Sequence, residues 1–120
     1  MDEKIVYESL ETLNEYLDKL IPGVEAAVQA FRMQEDSRAL SLFTQLLEGL
    51  QWTLDVVILT EPTLLKNGID VNVERVQNVL KEINEAFEHQ DFVLLSDVLE
   101  YELLETFNNW KQGLSRMFAQ

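Results

Sequence analysis

The residues of this sequence that could do chemistry are carboxylates and a single imidazole. His89 is the one histidine of the 120-residue chain, and Glu82, Glu85 and Glu88 come shortly before it. Di-iron bundles use a Glu-x-x-His pair on each of two helices, whereas Glu85 precedes His89 by four positions. We therefore predict no metal ligands, and we expect His89 at a helix C-terminus, where an imidazole suits the helix dipole.

A second candidate is a repeated carboxylate. Glu48 and Glu105 each follow two consecutive leucines. If they faced each other, the pair would have a raised pKa and could serve in acid–base chemistry or metal binding. Both also have polar neighbours at helical spacing, and we favour the interpretation that they are solvated. The chain has no cysteine, no glycine-rich phosphate loop and no nucleophile motif, so we predict no catalytic residues, no cofactor and no enzyme.

Trp52 is the candidate partner-binding residue. It lies one position off the apolar stripe of its predicted helix, beside Gln51, which predicts a partly exposed ring. A partly exposed tryptophan on an acidic protein can anchor a partner. The alternative, that Trp52 packs against the first helix, stays open at this point. Trp110 continues an apolar stripe and is predicted to be packed.

The charge balance limits the partners. Nine Lys and Arg against 22 Asp and Glu give a net charge of −13, and the cations are scattered singly. Such a surface argues against nucleic acid and against anionic membranes. A protein partner, or a second copy of the chain in a homodimer, is compatible with it. The absence of cysteine, the lack of a signal-peptide pattern and the short apolar run at residues 50–59 lead us to expect a cytoplasmic protein without a membrane span.

The scarcity of helix breakers, four Gly and two Pro, predicts long helices. In the first helix, helically spaced apolar residues continue in phase across Pro22: Val6, Leu10, Leu13, Leu17, Leu20, Val24, Ala27 and Phe31. A turn has no reason to keep a helical phase. We therefore predict one helix over about residues 4 to 33, bent at Pro22, over the alternative of a break at Pro22-Gly23.

Three further helices follow from the same periodicity. Their predicted apolar seams are, in order, Leu42, Leu46, Leu50, Leu54 and Val57; then Val73, Val76, Leu80, Ile83 and Phe87; then Leu95, Leu99, Leu103, Phe107, Trp110, Leu114 and either Met117 or Phe118. The narrow polar stripe of the second helix predicts burial of more than half its circumference. Leu64, Leu65 and Ile69, in the linker 60–69, are expected to close one end of the domain.

The sequence also contains an internal repeat. Residues 25–34 match residues 81–90 at an offset of 56, and residues 45–50 match 102–107 at an offset of 57, with the one-residue slip assigned to the connecting loop. We predict a single domain over residues 1–120, all-α, in which the repeats 4–60 and 70–118 are helical hairpins. Their pairing predicts an up-down antiparallel four-helix bundle. A pseudo-twofold axis would relate Phe31 to Phe87 and Leu46 to Leu103.

Two strings carry a family resemblance: Leu47-Glu-Gly-Leu-Gln-Trp52 and Asp97-Val-Leu-Glu-Tyr-Glu-Leu-Leu104. The chain resembles, over nearly its whole length, short uncharacterised all-helical proteins of Gram-positive bacteria. The resemblance implies a bundle of unknown function and supplies no site residues. From the residues themselves we expect a non-catalytic protein-interaction or assembly module, similar to helical chaperones or adaptors. The alternative is a ligand- or metal-binding bundle that uses core carboxylates.

Overall fold

The computed structural model of the chain describes residues 2–119, which fold into helices and connecting turns without a β-strand. The helical elements are α1 (Glu3–Arg32), α2 (Asp36–Leu59), α3 (Glu61–Lys66), α4 (Val73–Glu88), α5 (Phe92–Val98), a π-helical segment (Leu99–Leu103) and α6 (Leu104–Met117). The last three follow one another without interruption. The domain measures 44 × 26 × 20 Å. Its long axis corresponds to about 30 residues of α-helix, which is the length of α1.

Helix α1 is continuous through Pro22, as predicted. Asp2 caps it by accepting a hydrogen bond from the Lys4 N–H at 2.9 Å, and every residue of the predicted apolar seam is buried. Pro22 is exposed, and so is Asp18, whose carbonyl loses its helical donor because proline has no N–H. Solvent can reach that carbonyl, which explains how the helix continues. The predicted bend at Pro22 stays a prediction.

Helix α1 makes the most extensive packing contacts of the helices described. It packs against α2 along one side and against α5, the π segment and α6 along another. Helix α4 packs against α5 and the π segment. Lys111 of α6 joins α6 to α1 by donating to the backbone carbonyl and the side-chain oxygen of Asn14, each at 2.9 Å, and by pairing with Asp18 at 3.1 Å.

The two turns that follow α1 and α4 have the same backbone geometry. Gln34 and Gln90 both adopt a left-handed conformation, with φ of 59° and 54°. The next N–H in each turn donates back to the carbonyl five residues earlier, Ala30 at 3.0 Å and Ala86 at 2.9 Å. This is the hydrogen-bonding pattern of a Schellman C-cap. The turns match residue for residue at the offset of 56, so the loop contains no slip.

The π segment departs from regular α-helical spacing. A π turn accommodates one extra residue in a helix. The seam Leu95, Leu99, Leu103, Phe107 advances by four residues three times in succession. In an α-helix of 3.6 residues per turn such a seam would drift by roughly 40° at each step. The wider turn at residues 99–103 absorbs the drift, and all four residues are buried.

The predicted seam of α4 is wrong in part. Its buried residues are Val76, Val79, Ile83 and Ala86, whereas the predicted seam contained Leu80 and Phe87. The buried stripe contains Val79 and Ala86 where the predicted stripe contained the adjacent Leu80 and Phe87, and both stripes have helical spacing. Phe87 is 38% exposed, whereas its predicted equivalent Phe31 is 5% exposed, because α1 is enclosed on two sides and α4 on fewer. The predicted pseudo-twofold therefore does not extend to the environments of these two rings.

The predicted burial of α2 is also wrong. Only 28% of its most apolar 18-residue stretch is buried, because α1 is its one extensive neighbour within residues 2–119. By length and composition α2 could also cross a membrane, which the sequence expectation, based on residues 50–59 alone, did not foresee. A helix in the core of a folded domain meets the same criterion, so this property assigns no location.

The linker is partly as predicted. It contains α3, with Pro62 in the first turn of the helix, where a missing N–H costs nothing. Leu64 and Ile69 are buried in the core, but Leu65 is exposed.

One buried polar atom gives a stability prediction. Thr53 is fully buried on α2, and its Oγ1 has no hydrogen-bond partner among residues 2–119. Thr53→Val keeps the branched shape and removes the unpaired hydroxyl, so we expect the free energy of unfolding to rise by about 1 kcal/mol. Urea unfolding followed by circular dichroism measures it. Thr60→Val is the matched control, because the Thr60 hydroxyl donates to the Val56 carbonyl and its removal should bring no gain. Equal effects of the two substitutions would contradict the prediction.

Candidate partner-binding cleft

A surface cleft of about 450 Å³ lies between α1 and α2. We call it the Trp52 cleft. Its lining residues are Thr12 and Tyr16 of α1 and Gln45, Glu48, Gly49 and Trp52 of α2. The helical spacing of four residues, from Thr12 to Tyr16 and from Glu48 to Trp52, places these side chains on facing sides of the two helices.

An aromatic pair forms one side of the cleft. The rings of Tyr16 and Trp52 meet edge to face, with centroids 5.6 Å apart and planes at 88°. Trp52 is still 37% exposed, whereas Trp110 is 3% exposed and packed as predicted. Both interpretations of Trp52 therefore hold: its ring packs against the first helix and also presents surface to solvent.

Gly49 makes the position of Tyr16 possible. The tyrosine hydroxyl and ring lie directly over Gly49, in the space that a Cβ would occupy. Any larger residue at this position would force the ring away from Trp52. Sequence reasoning did not identify Tyr16 or Gly49, because their meeting depends on how α1 and α2 are aligned along each other.

The charge of the cleft is negative. Glu48 is exposed and forms no ion pair within residues 2–119, and none of the six lining residues is cationic. Thr12 Oγ1 donates to the Glu8 carbonyl at 3.0 Å, so its lone pairs are free to accept hydrogen bonds. The cleft combines apolar ring surface with hydrogen-bond acceptors and a carboxylate.

A second, smaller depression lies between α2 and α4, with a volume of about 110 Å³. Leu47, which is exposed, and Leu80, which is half-buried, contribute to its lining together with polar Gln51 and Asn84. The sequence did not predict this depression, since it exists because α2 is less enclosed than expected.

The other candidate residues lie apart from the Trp52 cleft. Glu48 and Glu105 are both exposed, in keeping with the favoured solvated interpretation, and Glu105 is not part of the cleft. His89 is the C-cap of α4, as predicted, with Nδ1 2.8 Å from the Glu85 carbonyl. Within residues 2–119 no three His, Asp or Glu side chains are placed to bind one metal ion.

Arg32 shows how this chain holds a cation. Its guanidinium pairs with Asp97 at 2.8 Å and Glu100 at 3.4 Å, and its Cζ lies 5.8 Å from the ring centroid of Tyr101. These contacts join the end of α1 to α5 and the π segment. The hydrogen bond with Asp97, more than the contacts with Glu100, holds the Arg32 pKa above its ordinary value.

Glu82 of α4 lies beside Glu102 of the π segment. A side-chain hydrogen bond with Glu102 raises the pKa of Glu82, and partial desolvation and the negative charges of Glu102 and Glu85 add to the rise. Since the raised pKa belongs to the folded state, the fold favours protonated Glu82. The stability that this proton provides is lost as the pH rises through the pKa of Glu82 in the folded protein.

The Glu82 pair gives a pH-dependent prediction. Glu82→Gln removes the negative charge beside Glu102, so at pH 7 we expect it to raise the free energy of unfolding by about 0.2–0.5 kcal/mol, at the low end for exposed charges because solvent screens them. The gain should shrink toward pH 4, because a larger share of Glu82 in the parent protein is protonated there than at pH 7. Urea unfolding at both pH values measures this, with the exposed Glu105→Gln as the control for net charge. A gain of the same size at pH 4, or in both variants, contradicts the assignment.

Gly49 gives a prediction about the cleft. In Gly49→Ala the new methyl group would overlap Tyr16, and we expect a net loss of about 1 kcal/mol in stability together with a change in Trp52 fluorescence. Gly23→Ala is the control, because its methyl group would meet only the end of the flexible Leu46 side chain, 2.9 Å away. The prediction fails if the two variants unfold at the same urea concentration with unchanged emission.

Comparison with known proteins gives a family but no activity. No curated protein and no solved structure matches the chain. A family model described as a domain of unknown function, DUF8042, matches residues 8–113, which include the whole Trp52 cleft and nearly all of the helical core. This agrees with the resemblance to uncharacterised helical proteins read from the sequence, although the match does not address a Gram-positive origin. The chain belongs to the DUF8042 family of domains of unknown function.

Proposed function

We propose that this domain is a non-catalytic protein-interaction module that binds its partner at the Trp52 cleft. The observation that carries the proposal is the exposed ring of Trp52 in the largest cleft described, seated on Tyr16 and beside an unpaired carboxylate. Tryptophan and tyrosine are enriched at the residues that dominate binding energy in protein interfaces. The occupant is a protein partner or a second copy of this chain.

The character of α2 supports the same proposal. In a chain with net charge −13, its 24 residues include only four charged ones: Asp36, Arg38, Glu48 and Asp55. It also exposes large apolar side chains on more than one side, including Leu47, Trp52, Ile58 and Leu59. Exposed apolar surface of this kind is typical of protein interaction sites. An apolar helix at the edge of an acidic domain is therefore the favoured docking element.

We extend the proposal to the architecture, an antiparallel four-helix bundle of two equivalent hairpins. The packing of α1 on α2 and of α4 on α5 and the π segment supports this pairing. The matching turns at Gln34 and Gln90 support the equivalence. With the extra residue assigned to the π segment, Ala39 corresponds to Leu95 and Leu50 to Phe107, and all four are buried.

The alternative, a ligand- or metal-binding bundle built on core carboxylates, has less support. Its two key residues, Glu48 and Glu105, are exposed, and the Glu82–Glu102 pair also lies near the surface. Carboxylates in water have little reason to hold a metal ion unless several converge.

Photo-crosslinking in cells of the source organism tests the proposal. A benzophenone amino acid placed at Gln45, inside the Trp52 cleft, should give an adduct with a defined protein, or a homodimer. The same group at Asn108, exposed on α6 and outside the cleft, is the matched position control.

The adduct should be lost when Trp52→Ala is added and retained with Leu65→Ala, which truncates an exposed leucine on α3. The aromatic contact is the physical reason for this difference. Adducts that form equally from both positions, or that survive Trp52→Ala, would rule out the cleft as the binding site.

A further inference from the structure

We infer that the Trp52 cleft recognises an arginine side chain of the partner, with the guanidinium over the Trp52 ring and beside the Glu48 carboxylate. This rests on the proposed function and specifies the chemistry of the occupant. A flat aromatic face attracts a cation through its quadrupole, and tryptophan does so most strongly. Guanidinium is planar and weakly hydrated, so it stacks on such a face better than a compact ammonium group.

The contents of the cleft fit this occupant. Because the Tyr16 and Trp52 planes stand at 88°, the pair presents two walls at a right angle, and Trp52 keeps part of its ring exposed. Glu48 supplies a negative charge one helical turn away on the same helix. Thr12 and Gln45 add acceptor oxygens, which match the five N–H donors of an arginine.

Charge complementarity favours a cationic occupant. It disfavours an apolar side chain and a second copy of the same acidic surface. Glu48 is unpaired within residues 2–119, and no lining residue competes as a cation. The net charge of −13 raises the local concentration of positive groups and repels another acidic chain. A purely apolar occupant would leave the Glu48 carboxylate partly desolvated without compensation.

The same chain already binds one arginine by the same combination of groups. Arg32 is held by the carboxylates of Asp97 and Glu100 and lies over the ring of Tyr101. That arrangement is intramolecular and complete. The Trp52 cleft has the aromatic ring and the carboxylate but lacks the cation, which the partner would supply.

A titration with defined peptides tests the inference. The probes are acetylated hexa-arginine amide, the corresponding hexacitrulline, which has the same shape without charge, and hexalysine. The readout is the pair of indole N–H signals in ¹⁵N NMR spectra at physiological salt. We expect hexa-arginine to shift the Trp52 signal saturably, with little change at the buried Trp110. Hexacitrulline should have no such effect, and hexalysine should bind more weakly.

Two matched substitutions distinguish the cleft from general attraction to an acidic protein. Glu48→Gln and Glu105→Gln remove the same charge from equivalent Leu-Leu-Glu strings, but only Glu48 lines the cleft. We expect Glu48→Gln to weaken hexa-arginine binding about three-fold and Glu105→Gln to leave it nearly unchanged. Trp52→Leu should weaken it by about three-fold or more, measured by isothermal titration calorimetry because this variant lacks the reporting indole signal. All three positions are exposed, and circular dichroism confirms that the variants are folded.

Equal weakening by Glu48→Gln and Glu105→Gln would overturn the inference, since binding would then be unspecific. Equal binding of hexacitrulline or of hexalysine would overturn the assignment to arginine. A partner crosslinked from Gln45 in cells, together with a failed peptide titration, would leave the interaction function standing and remove only the arginine. Absence of a crosslinked partner would count against the proposed function itself.

Discussion

The burial of one long apolar seam is the constraint on which the rest of this structure depends. Helix α1 offers that seam over its whole length, and α2, α5, the π segment and α6 pack around it. Each neighbour covers part of the circumference of α1, so the core is continuous along its length. The contacts of Lys111 and Arg32 with neighbouring helices fix α1 in this position near its middle and at its end. Helix α2 keeps exposed apolar surface because α1 is its one extensive neighbour within residues 2–119.

Several parts of this arrangement could be predicted from periodicity alone, and the reason is physical. In α1 the large apolar residues form only one stripe at helical spacing, so the sequence identifies the buried face without ambiguity. In α4 two stripes compete, through Leu80 and Phe87 or through Val79 and Ala86, and the small residues are the ones buried. Local sequence does not decide between them, because the choice depends on how closely the neighbouring helix approaches.

The candidate site was predictable only in part. The position of Trp52 beside its stripe indicated partial exposure, and the ring is indeed partly exposed. Tyr16 and Gly49 join it only because α1 and α2 are aligned in a register that places the Tyr16 ring over Gly49. The periodicity of each helix does not determine how two helices are aligned along each other, so this register could not be predicted from the sequence. A lone glycine in the middle of a long helix was the available signal, since such a residue often marks a close approach.

The π turn at Leu99–Leu103 has a consequence for how this family can vary. One residue inserted into a helix rotates everything beyond it by roughly 100° unless the extra length is absorbed locally. Here it is absorbed, so the downstream residues Phe107, Trp110 and Leu114 keep facing the core. A single-residue deletion in this turn would convert it to an ordinary α-helical turn, and the residues beyond it would keep facing the core. Related sequences should accordingly be able to differ by one residue between the α5 cap and Trp110, with the π turn present in the longer ones and absent from the shorter.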